Sequence, residues 1–177
     1  MGGYTALAEK LLAGIEVRTG VEYRELIDRE PDIAPVTVYS GCIDEFFDYC
    51  YGPLQYRSVR FETETLDMED YQGNAVVNYT GREVPWTRII EHKHFDGAKS
   101  PVTVISREYS AEWQPGQEPY YPVNNPDTAA LLSRYEALAM ERPDVIFGGR
   151  LGRFRYYDMD KVIGEALETA KQLIAGR

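Results

Sequence analysis

Thr87-Arg88-Ile89-Ile90-Glu91-His92-Lys93-His94 follows Asn74-Ala75-Val76-Val77-Asn78-Tyr79 with only the link Thr80–Trp86 between them. Both runs are rich in β-branched residues and bounded by turn formers, so each reads as a strand. A link this short joins neighbours, which predicts an antiparallel pair with Asn78 close to Arg88. Further strands are predicted at Tyr56–Thr65 and Thr103–Tyr109, with turns at Asp70-Tyr71-Gln72-Gly73 and Phe95-Asp96-Gly97. Strands that follow strands with no helix between them specify an antiparallel sheet.

Outward from this sheet the pattern changes. Upstream, Tyr4–Ala13 reads as a short helix with Leu7, Leu11 and Leu12 on one face and Gly14 as its stop. Ile15-Glu16-Val17 reads as a short strand, and the polar stretch Glu22–Pro35 as a surface excursion. Val36–Tyr39, running into Ser40-Gly41, has the look of a parallel strand buried on both faces. Downstream, Pro126–Glu141 is a predicted helix with Asn125 as its cap, and Val145–Phe147 a short buried strand. A closing helix over Asp158–Ala175 carries Val162, Ile163, Ala166, Leu167, Ala170 and Ile174 as an apolar stripe. The expected fold class is an α/β layer with an antiparallel β-sheet insert, α+β overall. Residues 1–50 and 123–177 would form the α/β part and 51–122 the sheet.

Composition narrows the function. The 177 residues hold 29 acidic and 19 basic side chains, a net charge of −10, which sets nucleic-acid binding aside. A content of 44% hydrophobic and 27% charged residues is that of a folded chain. No apolar run is long enough to span a bilayer and the first residues do not read as a secretion signal, so no membrane partner is expected. Cys42 and Cys50 cannot make a disulfide framework and read as plain buried thiols, which fits a reducing, cytoplasmic setting. The lack of any other cysteine argues against a structural zinc site. Fourteen tyrosines against six phenylalanines is unusual, because a buried tyrosine needs a partner for its hydroxyl. Many of them should face a wet cleft.

Three stretches could carry chemistry. Phe147-Gly148-Gly149-Arg150-Leu151-Gly152 follows a strand and precedes a helix opened by Asp158, so backbone N–H groups and Arg150 could receive an anion. The plainer reading is a glycine turn with a solvated arginine. Glu91-His92-Lys93-His94 places alternate side chains on one face of a strand, but no third strong ligand pattern accompanies it. Hydrogen-bonded histidines on a polar sheet surface are the better reading, and no metal is assigned. Glu165, Glu168 and Lys171 read as a solvated helix face.

Taken in order, these runs resemble the UDP-galactopyranose mutase family. The resemblance rests on Gly3-Tyr4-Thr5-Ala6, Tyr39-Ser40-Gly41-Cys42-Ile43-Asp44-Glu45-Phe46-Phe47, Gly73–Tyr79, Thr87–Phe95, Glu118-Pro119-Tyr120-Tyr121-Pro122-Val123, Gly148–Gly152 and Tyr156-Tyr157-Asp158-Met159. Family members also carry a glycine-rich Rossmann fingerprint and a helical domain, and neither pattern is seen here, so the resemblance is to the C-terminal half. It implies FAD, in its reduced form, as cofactor and UDP-galactose as substrate, in the interconversion of UDP-galactopyranose and UDP-galactofuranose for cell-surface glycans. It further implies that Arg88, Tyr121 and Tyr156 hold the substrate diphosphate, with Asn78 near the sugar. Gly149 and Arg150 would lie at the FAD pyrophosphate, with Asp158 and Met159 beside the flavin ring. The chain alone is expected to be inactive and to self-associate, as a homodimer in the simplest case. The alternatives are a non-catalytic module binding a nucleotide sugar or a protein, and a structural fragment that self-associates.

Overall fold

The computed structural model describes residues 3–176. Helices α1 (Gly3–Leu11) and α2 (Tyr23–Arg29) precede strand β1 (Thr37–Tyr39) and the short helix α3 (Ile43–Phe46). Strands β2 (Tyr56–Leu66), β3 (Val76–Asn78) and β4 (Arg88–Glu91) come next, then a 3-10 turn (His92–Phe95) and strand β5 (Thr103–Glu112). The last part contains β6 (Tyr121–Pro122), α4 (Pro126–Met140), β7 (Val145–Phe147), α5 (Gly149–Gly152) and α6 (Met159–Ala175). Five strands form one sheet in the order β3-β4-β5-β2-β6, and β1 pairs with β7 in a second, parallel sheet. The α+β class expected from sequence is the one observed.

The chain forms two compact units. The first runs to Ile33 and resumes over Arg60–Tyr109; the second takes Ala34–Val59 and everything from Ser110.

In the first unit, β3 and β4 pair antiparallel with Asn78 opposite Arg88, and β4 pairs with β5 with Arg88 opposite Glu108. Ile89 and Ile105 are fully buried and form the apolar centre. Strand β4 ends at Glu91, earlier than predicted, and His92–Phe95 curl into a 3-10 turn. His92 and His94 therefore do not share a strand face. The cause is Glu91, whose buried carboxylate accepts the N–H groups of Tyr71 and Gln72 and the Thr103 hydroxyl, fastening the strand end to the loop before β3. Two other expectations fail here. Ile15–Val17 forms no strand, since no neighbouring edge pairs with it, and Ile15 and Val17 stay exposed. The predicted excursion at Glu22–Pro35 contains helix α2, steadied by an i,i+4 ion pair of 2.8 Å between Arg29 and Glu25. Helix α1 ends at Leu11, short of the predicted Ala13, and Leu7, Leu11 and the following Leu12 are all exposed.

The second unit holds the larger apolar core. Cys42, Ile43, Leu54, Tyr56, Tyr135, Val145, Phe147 and Phe154 are buried together, with Tyr39, Phe46 and Phe47 packed against them. The rings of Phe46 and Phe147 meet edge to face at 4.9 Å, the preferred aromatic geometry. Helix α4 begins as its sequence dictates: Asn125 Oδ1 accepts from the Thr128 N–H at 2.8 Å, and Pro126 occupies the first turn. Gly152 is required by space, because an added Cβ would sit 2.8 Å from the Tyr39 carbonyl oxygen. Two expectations need correction. Strand β1 is not buried on both faces, since Val38 is 55% exposed and, among the described residues, β1 pairs with β7 alone. Cys50 is exposed, and only Cys42 is a buried thiol. The apolar stripe of α6 is formed and lies open, with Ile163, Leu167 and Ile174 exposed, the bare face on which the expected self-association rests.

Candidate functional site

The sequence-predicted residues fall into two groups, one in each unit. In the first unit the antiparallel registers place Asn78, Arg88 and Glu108 directly across three adjacent strands, and directly opposed residues share a sheet face. Arg88 Nε lies 3.0 Å from Glu108 Oε1, which also accepts the Thr87 hydroxyl at 2.9 Å. Glu108 is buried while Arg88 is about a third exposed, and the contact is an ion pair without a well-directed hydrogen bond from Nε. Arg88 is thus a held cation and not an ordinary surface charge. Glu108 was missed in the sequence, although the strand spacing that pairs β4 with β5 would have found it.

In the second unit Tyr121, Tyr156 and Arg150 converge. The Tyr121 and Tyr156 rings have centroids 5.7 Å apart, and the Arg150 guanidinium lies 5.8 Å and 5.3 Å from those two rings. Arg150 Nη2 donates to the Tyr120 carbonyl oxygen, so the arginine is tied to main chain beside the strand that carries Tyr121. Strand β6 is in turn paired with β2, with Tyr121 opposite Arg57. The solvated arginine of the plainer sequence reading is therefore corrected. A cation beside a pair of phenol rings and anchored on one edge can present its remaining N–H donors, an arrangement suited to phosphate oxygens.

Gly149 opens α5 with φ of +71°, a conformation that side-chain-bearing residues rarely adopt. Asp158 precedes α6, but its side chain makes no capping hydrogen bond, so the first-turn N–H groups of a 17-residue helix have no side-chain acceptor there. Met159 begins that helix and is 53% exposed. The preceding Tyr157 hydroxyl donates to Glu165 at 2.6 Å, so Glu165 does more than face solvent: it ties the helix to the Tyr156–Tyr157 segment.

The second unit also holds the buried Cys42 and Asp44. Burial pushes the Cys42 thiol up to about 12, opposed in part by the neighbouring Tyr56 hydroxyl. Burial also raises the Asp44 carboxyl, opposed by the Leu54 N–H that it accepts at 2.8 Å. Neither group is poised as a nucleophile or base. Both belong to packing.

The geometry defines an α+β chain carrying two arginine-centred groups suited to anionic ligands. The chain belongs to the UDP-galactopyranose mutase (GLF) family, whose sequence profile matches residues 1–156. It is 40% identical over 174 residues to a probable UDP-galactopyranose mutase of Klebsiella pneumoniae, covering 98% of this chain and 45% of the relative. It is 38% identical over 180 residues to a dTDP-fucopyranose mutase of Escherichia coli, covering 97% and 47%. A UDP-galactopyranose mutase of Mycoplasma pneumoniae is 34% identical over 188 residues, covering 98% and 47%. The chain spans about half the length of the curated relatives it matches. Among the described residues, no helix is long and apolar enough to cross a membrane.

Proposed function

We propose that this chain supplies the C-terminal portion of an FAD-dependent isomerase that interconverts UDP-galactopyranose and UDP-galactofuranose, for galactofuranose-containing glycans in a reducing cytoplasm. The observation that carries the reading is Arg150 held against Tyr121 and Tyr156 by the Tyr120 carbonyl, in a member of this family.

The residues fit the anionic part of FAD. Arg150 offers charge, Gly149 lets the backbone approach closely at a positive φ, and α6 presents first-turn N–H groups without a side-chain cap. When bound, the reduced flavin supplies the nucleophile for the anomeric carbon. Everything else falls to side chains. In the first unit Arg88 is the cation to neutralise charge on a departing phosphate; in the second, Tyr121 and Tyr156 offer neutral hydroxyls to phosphate oxygens without adding further cations. Asn78, opposite Arg88, offers an amide to the sugar. Asp158 and Met159 shape the wall beside the flavin ring. Residues 51–122 act on the substrate side, with 1–50 and 123–177 on the cofactor side.

A second substrate has a specific basis: the 38% identical relative is a dTDP-fucopyranose mutase, so the base and the sugar C6 substituent are the points to test. Alone, the chain is expected to bind FAD weakly and to turn nothing over. The test is to titrate FAD into the purified chain, then to co-produce it with the N-terminal half of the Klebsiella relative and assay UDP-galactose and dTDP-fucose under reducing conditions. Flavin retention and furanose product in the co-produced sample, both lost on Arg150→Ala, support the reading. Stoichiometric FAD binding by the chain alone, or retention unaffected by Arg150→Ala, would falsify the cofactor assignment.

A further inference from the structure

We propose that Asp70, Glu91 and His94, in the first unit, form a binding site for one first-row divalent cation of the zinc type. The carboxylates and imidazole lie with one ligand atom each inside 4.8 Å of one another. His94 Nε2 is 3.2 Å from Glu91 Oε2 and 3.7 Å from Asp70 Oδ1. Two ligands of a tetrahedral zinc, each at about 2.1 Å, are roughly 3.4 Å apart, so these separations bracket what the ion needs.

The second observation is the direction of the imidazole. His94 Nε2 is buried, yet it makes no well-directed hydrogen bond to either carboxylate. A histidine that served only as a hydrogen-bond donor would aim its N–H at one oxygen. A ring nitrogen lying between two carboxylates and aligned with neither is placed for a shared ion.

The surroundings are built to hold these ligands still. Glu91 Oε1 accepts the Tyr71 N–H at 3.0 Å and the Thr103 hydroxyl at 2.6 Å, while Oε2 accepts the Gln72 N–H at 2.9 Å and keeps a lone pair towards His94. Asp70 Oδ1 accepts the Gly73 N–H at 2.6 Å. Outer contacts of this kind fix ligand orientation in metal sites. Lys93, next to the histidine, has its ammonium engaged by the Glu69 and Ser100 carbonyls. Two carboxylates balance a dication, the imidazole favours zinc over magnesium or calcium, and the half-exposed Asp70 leaves a position open to water. The cysteine count had argued against a structural zinc site; here oxygen and imidazole replace thiolate. None of these three residues belongs to the arginine-centred groups, so the site stands or falls apart from the proposed function.

The test uses the whole chain, freed of metal by a chelator and then dialysed. Calorimetric titration with Zn²⁺ is expected to give one ion per chain and a rise in Tm, and Co²⁺ should give visible d–d bands. Asp70→Asn and His94→Gln should each weaken Zn²⁺ at least tenfold and remove the Tm rise, whereas His92→Gln should keep both. Asp70 is exposed and its variant should fold whatever becomes of the other, so it decides alone if His94→Gln is unstable. Absence of stoichiometric binding, binding unchanged in Asp70→Asn, or equal loss in His92→Gln overturns the proposal.

Discussion

Arg88 Nε lies 3.0 Å from Glu108 Oε1, between two residues that are direct partners in the β4–β5 register. The position of the arginine is thus set by a neighbouring strand and not by its own flexible stem. Arg88→Ala should leave Glu108 buried with only the Thr87 hydroxyl for support. A loss of about 1–2 kcal/mol is expected, kept low by the partial exposure of Arg88. Urea denaturation of the two proteins checks this. In a full-length family member rebuilt around this chain, the same change should cut turnover roughly 10- to 150-fold, with Arg88→Lys recovering only part.

Tyr135 is fully buried in α4, and its hydroxyl donates to the Gly52 carbonyl at 2.8 Å while accepting the Tyr51 N–H at 3.1 Å. These bonds hold a loop in which Asp48 and Tyr49 have φ of 56° and 51°. Tyr135→Phe keeps the packing but leaves the loop unpinned, at a cost of about 1–3 kcal/mol. A lower urea midpoint with unchanged slope is the expected result.

Glu91 gives the fold an acid sensitivity. Burial pushes its carboxyl up, but bonds from Thr103, Gln72 and Tyr71 and the nearby His94 outweigh that, and it titrates at about 2. Because the folded value lies below the unfolded one, its contribution is complete above about pH 4.5 and is lost as the pH falls towards 2. Glu91→Gln should flatten the Tm profile across that window while lowering Tm at neutral pH.

Asp44 behaves in the opposite sense. Its folded carboxyl titrates above the unfolded one, so ionisation works against the fold as pH rises through the raised value. Asp44→Asn keeps an acceptor for the Leu54 N–H and removes the buried charge. It should be as stable as the parent or more so at pH 7, with the gain vanishing below about pH 4. Asp44→Ala, lacking the acceptor, should lose about 1–3 kcal/mol.

The open leucine and isoleucine faces of α1 and α6 predict self-association. Light scattering over a dilution series should show mass falling with concentration, and a Leu167→Glu, Ile174→Glu double variant should shift the sample towards monomer. A strict monomer at every concentration would overturn the expectation of self-association.

What could be read in the sequence depended on how local its cause was. Asn125-Pro126 announces α4 because cap and first turn are set by adjacent residues. The Asn78–Arg88 pairing followed from a short link. By contrast, β4 was overrun because its end is decided by Glu91 reaching Tyr71, Gln72 and Thr103, partners that no window around Glu91 contains. Helix α2 was hidden by its charge, since Tyr23–Arg29 buries nothing and so shows no apolar stripe. For the site, Arg88, Arg150, Tyr121 and Tyr156 were visible as residue types. Glu108 needed the β4–β5 register, and Tyr120 contributes through a carbonyl that leaves no mark on the choice of side chain.

That carbonyl has a consequence for how the chain can change over generations. Arg150 is moored to an oxygen that every amino acid carries, so drift at position 120 cannot delete the acceptor. Only a shift of the β6 backbone, or loss of the arginine itself, would release it. The mooring of Arg150 is thus a property of the main chain, separate from the contact that the Tyr120 ring makes with Tyr121.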